Sequence, residues 1–159
     1  MTIRNVHRSG FVQRYHSNPD LAWTGQTNGQ HQWGVAVLLL QLFPDTSMTA
    51  LREALLHDAG EMGAADVSAP AKRRHPQLAV AAAAAEAIER RALGVPEADL
   101  LMMERDRIKL CDSLEAYLYV SVRAPWVLDG DGWPEMRARI MQDAAALGVT
   151  EGVREALGV

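Results

Sequence analysis

Apolar residues recur along this chain mainly three or four positions apart, which is the spacing of a helix face. Residues 30–43 show the pattern most clearly, and we predict a buried helix there that ends at Pro44 and Asp45. A second helix follows, with Thr46, Ser47 or Thr49 as its N-cap. One of its faces carries Leu51, Ala54, Leu55 and then Asp58.

The second half of the chain continues this helical pattern. Residues 77–93 are rich in alanine and end at Gly94, which predicts a helix that a neighbouring helix can approach closely. Pro96 suits the first position of a helix that continues to about residue 122. Its apolar stripe is formed by Ile108, Cys111, Leu114, Tyr117 and Leu118, with Asp112 at the margin. A last helix is predicted at 135–147.

The connections between these helices are polar or rich in glycine and proline. Residues 63–70 are predicted to form an irregular loop, KRRHP (72–76) a basic turn, and 125–134 a further loop. No segment alternates apolar and polar residues over a useful length, and no internal repeat is present. We therefore predict an all-α fold.

Composition limits the class of protein. A chain of 159 residues fits a single domain, 1–159, with a substantial core. The longest apolar run, 35–43, is too short to cross a membrane and is interrupted by Gln41. The N-terminal residues contain no secretory signal, and the single cysteine, Cys111, suits a reducing compartment, so we expect a cytoplasmic protein. The net charge of −4 argues against binding to a nucleic-acid polymer but leaves room for a small polyanion.

One segment concentrates groups that can do chemistry. In ALLHDAGEMGAAD (54–66), His57 and Asp58 lie three or four positions before Glu61, so all three side chains can converge beside a helix end. Histidine with carboxylate suits a divalent transition metal, and His31 and Asp112 on other helices can complete the ligand set. Taken alone, a histidine near a helix end is more often a cap or a surface residue.

The complete pattern H…HD…D resembles the HD-domain phosphohydrolase superfamily. The phrase HDAGEMGAADVSAPAK is similar to its 5′-deoxynucleotidase branch, in which an aspartate, a proline and a lysine follow the glutamate, here Asp66, Pro70 and Lys72. Arg14-Tyr15 matches an Arg-aromatic pair of that branch, and KLCDSLEAYLY is similar to its last metal-ligand helix. The resemblance covers roughly residues 11–122.

This resemblance implies an HD-domain helical bundle with a metal site in its centre. The implied ligands are His31, His57, Asp58 and Asp112, and they would hold a divalent transition metal (Co²⁺, Mn²⁺, Zn²⁺ or Fe²⁺), with Mg²⁺ as the candidate for a second site.

The resemblance also implies roles for residues around the metal. Glu61 matches the residue that positions or deprotonates the attacking water, and Asp66 matches a second catalytic carboxylate. Arg14 and Lys72 match phosphate or sugar contacts, and Tyr15 matches an aromatic that packs against deoxyribose. The chain departs from the branch at Gln30, where an acidic residue is usual, at Tyr15, where tryptophan is common, and in a shorter segment before Asp112.

Two features bear on the substrate. Lys72, Arg73 and Arg74 can grip additional phosphates or form a solvated turn. The loop 21–30 carries Trp23, which can stack on a base or pack internally, and three amides, Gln26, Asn28 and Gln30, which can bind base edges or simply be solvated.

The compact length and the short connection before Asp112 are similar to phage-type dATP triphosphohydrolases. We therefore predict a metal-dependent deoxynucleotide phosphohydrolase, with dATP or another purine dNTP as substrate and deoxynucleoside and triphosphate as products. The alternatives are a 5′-deoxynucleotidase that hydrolyses dNMPs, an inactive HD module that binds nucleotides, and a helical interaction protein. We expect a homo-oligomer, a dimer or a hexamer, to which exposed apolar residues around Trp126 and Trp133 would contribute. We expect the protein in the cytoplasm, or in the host cytoplasm if the chain is phage-encoded.

Overall fold

The computed structural model describes residues 3–130 and 132–159, and their regular structure is helical. Within these residues the only strand-like pairing is an isolated antiparallel bridge between Gln13 and Thr27, which confirms the all-α prediction. No helix in the described ranges is long and apolar enough to cross a membrane. The helices are α1 (Ile3–Ser9), α2 (Asn28–Leu42), α3 (Met48–Leu56), α4 (Glu61–Ala64), α5 (Ala69–Arg74), α6 (Pro76–Leu93), α7 (Met102–Arg123), α8 (Trp133–Ala146) and α9 (Thr150–Leu157).

The chain divides into two compact units. Unit 1 comprises residues 1–32 and 56–98, and unit 2 comprises 33–55 and 99–159, apart from the residues that are not described. The prediction of a single HD domain over 1–159 stays a prediction.

Unit 1 has a small core beneath the turn that carries His57 and Asp58. Ala59, Leu93 and Val95 are buried together, and Val6, Leu56 and Met62 pack against them. A short ladder joins the segment before α2 to the start of the chain, because Arg14 N–H donates to Gln26 O and Asn28 N–H donates to Val12 O, both at 2.9 Å. This ladder fixes the entry to α2, three residues before His31.

Unit 2 is built on α7, which packs with α8 and α9. The predicted stripe on α7 is confirmed in part: Ile108, Cys111 and Leu114 are buried, whereas Tyr117 and Leu118 are half-buried. Ser47 is the cap of α3, because its hydroxyl accepts a hydrogen bond from Ala50 N–H at 3.1 Å. That observation decides among the three caps that the sequence left open.

Several predicted boundaries were wrong. Pro96 does not begin a helix: Gly94 ends α6 in a left-handed conformation, and α7 starts only at Met102. Arg90 donates to the carbonyls of Val95 (3.1 Å) and Pro96 (3.5 Å), and these bonds hold the segment out of a helix.

The predicted loop and basic turn at 63–76 are also partly helical. Helix α4 extends to Ala64, and Lys72, Arg73 and Arg74 lie in α5, which follows Ser68 and has a proline in its first turn. Near the C-terminus, α9 follows the helix that was predicted to be the last, and the 125–134 loop begins with a 3-10 turn at Pro125–Val127. In this region Trp126 is exposed, whereas Trp133 is buried, so the expected exposure of Trp133 was wrong.

Close packing of α4 on α6 depends on Gly60 rather than on the alanines alone. A Cβ added at Gly60 would overlap the backbone carbonyl of Glu86, and backbone has little freedom to move aside. We expect Gly60→Ala to lower the free energy of unfolding by about 1–3 kcal/mol, the usual range for overpacking. Urea denaturation measures this, and Gly130→Ala is the control because a Cβ there meets nothing within 4 Å. Equal stability of the two variants would contradict the packing role.

Candidate metal centre and active site

The HD pair lies in the turn between α3 and α4. Helix α3 ends at Leu56, and the backbone turns through Ala59 N–H to Leu56 O (3.0 Å) and Glu61 N–H to Asp58 O (3.1 Å). Neighbouring residues in a regular helix point in different directions, but this turn lets His57 and Asp58 approach each other. Both side chains are half-buried.

His31 joins this pair from the first turn of α2. Its side chain is fully buried, and its Nε2 lies 3.7 Å from Asp58 Oδ2, while His57 Nε2 lies 3.4 Å from the same oxygen. The two imidazole rings meet edge to face, with centroids 5.4 Å apart. Charge-assisted hydrogen bonds are shorter, about 2.7–2.9 Å. By comparison, two ligands of one tetrahedral ion, each about 2.1 Å from it, lie about 3.4 Å apart. The distances of 3.4 and 3.7 Å are therefore closer to those between two ligands of one ion than to a charge-assisted hydrogen bond.

This donor set fits a divalent metal ion. His31 and His57, which both lie in unit 1, supply two of the imidazole nitrogens that such an ion would need. Asp112 is half-buried on α7, next to Cys111. Burial, together with the charge of Asp112, raises the pKa of the Cys111 thiol to about 12, so the thiol is protonated at neutral pH in the metal-free protein.

The turn is braced by Arg90, a residue for which the sequence gave no signal beyond a charge in an alanine-rich helix. Arg90 is buried, and its Nη1 donates to His57 O at 3.4 Å, in addition to the bonds it makes to Val95 and Pro96. A buried guanidinium that bonds several carbonyls holds them in fixed positions. Arg90 therefore fixes the backbone of the first HD residue.

Glu61 is buried at the start of α4, where its Oε2 accepts a hydrogen bond from Asn28 Nδ2 at 2.8 Å. The pKa of Glu61 is raised from 4.5 to about 8, first by burial and then by the negative charge of Asp58, while the Asn28 hydrogen bond opposes the shift. Smaller effects come from Asp66, which raises the pKa, and Arg14, which lowers it. In the absence of a cation, the site holds a proton on this carboxyl at neutral pH.

This shift predicts how the stability of the metal-free protein depends on pH. The folded-state pKa of Glu61 lies above its ordinary value of 4.5, so the stability that comes from protonating it is complete below pH 4.5 and is lost as the pH rises through 8. As the pH rises across this window, we expect the free energy of unfolding of the wild type to fall by up to about 1.4 kcal/mol per pH unit more than that of Glu61→Gln.

Urea denaturation in EDTA at several values between pH 5 and pH 8 measures the difference. Glu155→Gln, on the exposed face of α9, is the control and should retain the wild-type slope. Identical slopes for wild type and Glu61→Gln would contradict the raised pKa.

Asp66 lies beyond α4 and contacts the segment that carries Arg14. Its Oδ2 accepts a hydrogen bond from Tyr15 N–H at 3.2 Å, and His16 Nδ1 lies 3.9 Å from the same oxygen. Both Tyr15 (φ +57°) and Ala65 (φ +68°) adopt positive φ, which costs free energy for residues other than glycine. The two strained residues flank the Asp66 contact, so they aim this carboxylate at the Arg14 segment.

Ala65 is in a conformation that glycine adopts readily, with φ +68° and ψ 150°. We expect Ala65→Gly to raise the free energy of unfolding by about 1 kcal/mol, because relief of strain exceeds the extra chain entropy of glycine. Thermal or urea unfolding measures the change, and Ala83→Gly in the exposed middle of α6 should instead destabilise by about 1 kcal/mol. A loss of stability in Ala65→Gly would contradict the strain.

The predicted substrate contacts fall into two groups. Arg14 and Tyr15 lie close to Asp66 and Glu61, with the guanidinium carbon 5.4 Å from the centre of the Tyr15 ring. Lys72 instead forms an ion pair with Glu86 at 3.1 Å, and Arg73 and Arg74 are exposed.

Trp23 is 58% exposed, and its Nε1 donates to Asp20 O, so internal packing does not explain it. Of the three loop amides, Gln30 is exposed, whereas Gln26 and Asn28 are buried and are not simply solvated. Asn28 bonds to Glu61, a contact between residues 33 positions apart that no sequence pattern indicated.

Comparison of the chain with protein-family models, curated protein sequences and solved structures finds no match. Membership of the HD superfamily therefore stays a prediction that depends on the residues described above.

Proposed function

We propose that this protein is a metal-dependent phosphohydrolase of the HD type that acts on deoxynucleotides. One observation carries the proposal: two imidazole Nε2 atoms lie 3.4 and 3.7 Å from the same oxygen of Asp58, and a buried glutamate follows three residues later. Asp112 would complete the ligand set. Imidazole and carboxylate together suit Mn²⁺, Co²⁺, Fe²⁺ or Zn²⁺, with Mg²⁺ as the candidate for a second site.

When bound, such an ion lowers the pKa of its water toward neutrality and offsets charge on a phosphoryl oxygen. Glu61 would accept a proton from the attacking water, because a nearby cation favours the ionised carboxylate over the protonated form. Asp66 would protonate the departing oxygen. Arg14 would bind phosphate oxygens and orient the phosphate, and Tyr15 would pack against the sugar.

The leading substrate is dATP or another purine dNTP, cleaved to deoxynucleoside and triphosphate. Arg73 and Arg74, exposed on α5, would contact the outer phosphates, and exposed Trp23 would stack on the base. One observation favours the second candidate, a 5′-deoxynucleotidase: Lys72 is already paired with Glu86, which leaves fewer cations for a triphosphate. A dimeric or hexameric state and a cytoplasmic location stay predictions.

A substrate panel tests the proposal. The purified protein is incubated with dNMPs, dNTPs and NTPs in Mn²⁺ or Co²⁺, and the products are separated by chromatography. Deoxyadenosine and triphosphate from dATP would support the first candidate, and phosphate release from dNMPs alone would select the second. Nucleotide binding without hydrolysis would indicate an inactive module, and neither binding nor hydrolysis would overturn the proposal.

A further inference from the structure

Asn28 is a fully buried amide that the mechanism above does not use. It is the first residue of α2, and its backbone N–H donates to Val12 O at 2.9 Å. The bridge between Gln13 and Thr27 immediately precedes it. The backbone N–H of Asn28 is thus held by Val12, outside helix α2. The side chain of Asn28 is enclosed by protein and has little freedom to change rotamer.

The Asn28 amide nitrogen makes two hydrogen bonds. Nδ2 donates to Glu61 Oε2 at 2.8 Å and to the backbone carbonyl of Asp58 at 3.2 Å. An NH₂ group carries two hydrogens, so both bonds can form at once. Because a backbone carbonyl can only accept, the bond to Asp58 determines which end of the amide faces the site. Glu61 Oε2 therefore faces a donor.

This arrangement has a consequence for the carboxylate. A donor held against Oε2 stabilises the ionised form of Glu61, which is the form that can accept a proton. The same amide ties that carboxylate to the backbone of Asp58, so the base and the ligand keep a fixed separation. Positioning of this kind by residues behind the reacting groups is worth about 10–100-fold in comparable sites.

We infer that Asn28 is a positioning residue for the reaction at this site: it orients the Glu61 carboxylate and links it to the backbone of Asp58. The inference rests on the proposed function, since it assigns a role within that reaction. Asn28 itself contacts neither substrate nor metal in this account. Its loss should therefore lower kcat and leave KM and metal content close to those of the wild type.

The test is a double-mutant cycle with Asn28→Leu, Glu61→Gln and the double variant. Leucine branches at the same atom as asparagine but is bulkier and has no donor. We expect kcat to fall about 10–100-fold in Asn28→Leu, with KM changed less than about threefold. If Asn28 acts through Glu61, adding Asn28→Leu to Glu61→Gln should produce little further loss. Asn28→Ser is the second variant, to be used if leucine prevents folding, because its smaller polar side chain leaves room for water.

Two further measurements separate positioning from general stability. Metal content by mass spectrometry should match the wild type in every Asn28 variant. Asn18→Leu is the matched control, since Asn18 bonds locally to Asp20 N–H, and its kcat should stay at the wild-type value. Urea unfolding of a second cycle, with Asn28→Leu and Glu61→Ala, should also show coupling between positions 28 and 61, because alanine removes the acceptor; this measurement needs no activity.

The outcomes are distinguishable. An active wild type with unchanged kcat in folded Asn28→Leu or Asn28→Ser would overturn the inference and leave the proposed function standing. Equal proportional losses with and without Glu61 would also overturn it. A wild type that hydrolyses no nucleotide would overturn the proposed function and the positioning role with it, whereas the unfolding cycle would still report on the contact itself.

Discussion

Asp58→Ala should abolish both metal binding and nucleotide hydrolysis. Asp58 Oδ2 is the atom on which both imidazoles converge, at 3.4 and 3.7 Å, so its removal takes away the shared negative ligand and leaves two neutral ones. A loss of several kcal/mol in stabilisation of the ion and the phosphoryl charge corresponds to a fall in rate of about 10³-fold or more. Mass spectrometry of bound metal and a phosphate-release assay measure the two effects.

The matched control is Asp106→Ala, which removes the same charge from an exposed position on α7. It should retain metal and activity. Asp58→Asn tests charge at nearly constant shape and should resemble Asp58→Ala. Wild-type metal content and turnover in Asp58→Ala would show that the centre is elsewhere.

Glu61→Ala should separate metal binding from hydrolysis, because this variant should keep the metal and lose turnover. Glu61 is not among the ligand atoms that meet at Asp58, and its Oε2 is occupied by the Asn28 hydrogen bond. A missing proton acceptor typically costs about 10²–10⁴-fold in rate. The fall should appear in kcat, because the carboxylate acts on the water rather than on the bound nucleotide.

Glu61→Gln refines this prediction, because glutamine retains an acceptor oxygen for Asn28 but cannot take up a proton under these conditions. Both Glu61 variants should therefore lose about 10²–10⁴-fold in kcat, and Glu155→Gln should keep the wild-type kcat. Turnover that survives in Glu61→Gln would assign proton transfer to another group, and loss of metal from Glu61→Ala would make Glu61 a ligand.

Local regularities made much of the fold predictable. The helix predicted at 30–43 is confirmed as α2, and the alanine-rich helix is confirmed as α6, because apolar spacing and a terminal glycine act within a few residues. The start of α7 was not predictable, since the carbonyls of Val95 and Pro96 are held by Arg90 and not by their immediate neighbours.

In the candidate site, too, some groupings could be predicted from the sequence and others could not. His57, Asp58 and Glu61 could be grouped from their spacing alone, since the end of one helix brings them together. His31 was a candidate ligand because two ligands are too few and His31 lies on the preceding helix, but its distance of 3.7 Å from Asp58 comes from the fold. Contacts of Asn28 with Glu61 and of Tyr15 with Asp66 join residues 33 and 51 positions apart. No periodicity in the sequence encodes such pairs.

The central claim is that the two histidines and Asp58 bind a divalent metal ion. Titration of metal-free protein with Co²⁺, followed by calorimetry and by visible absorption, tests it without any assumption about substrate. We expect stoichiometric binding by the wild type and by His75→Ala, whose histidine is exposed at the end of α5, and loss of that binding in His57→Ala. Absence of binding by the wild type, or equal affinity in His57→Ala, would contradict it.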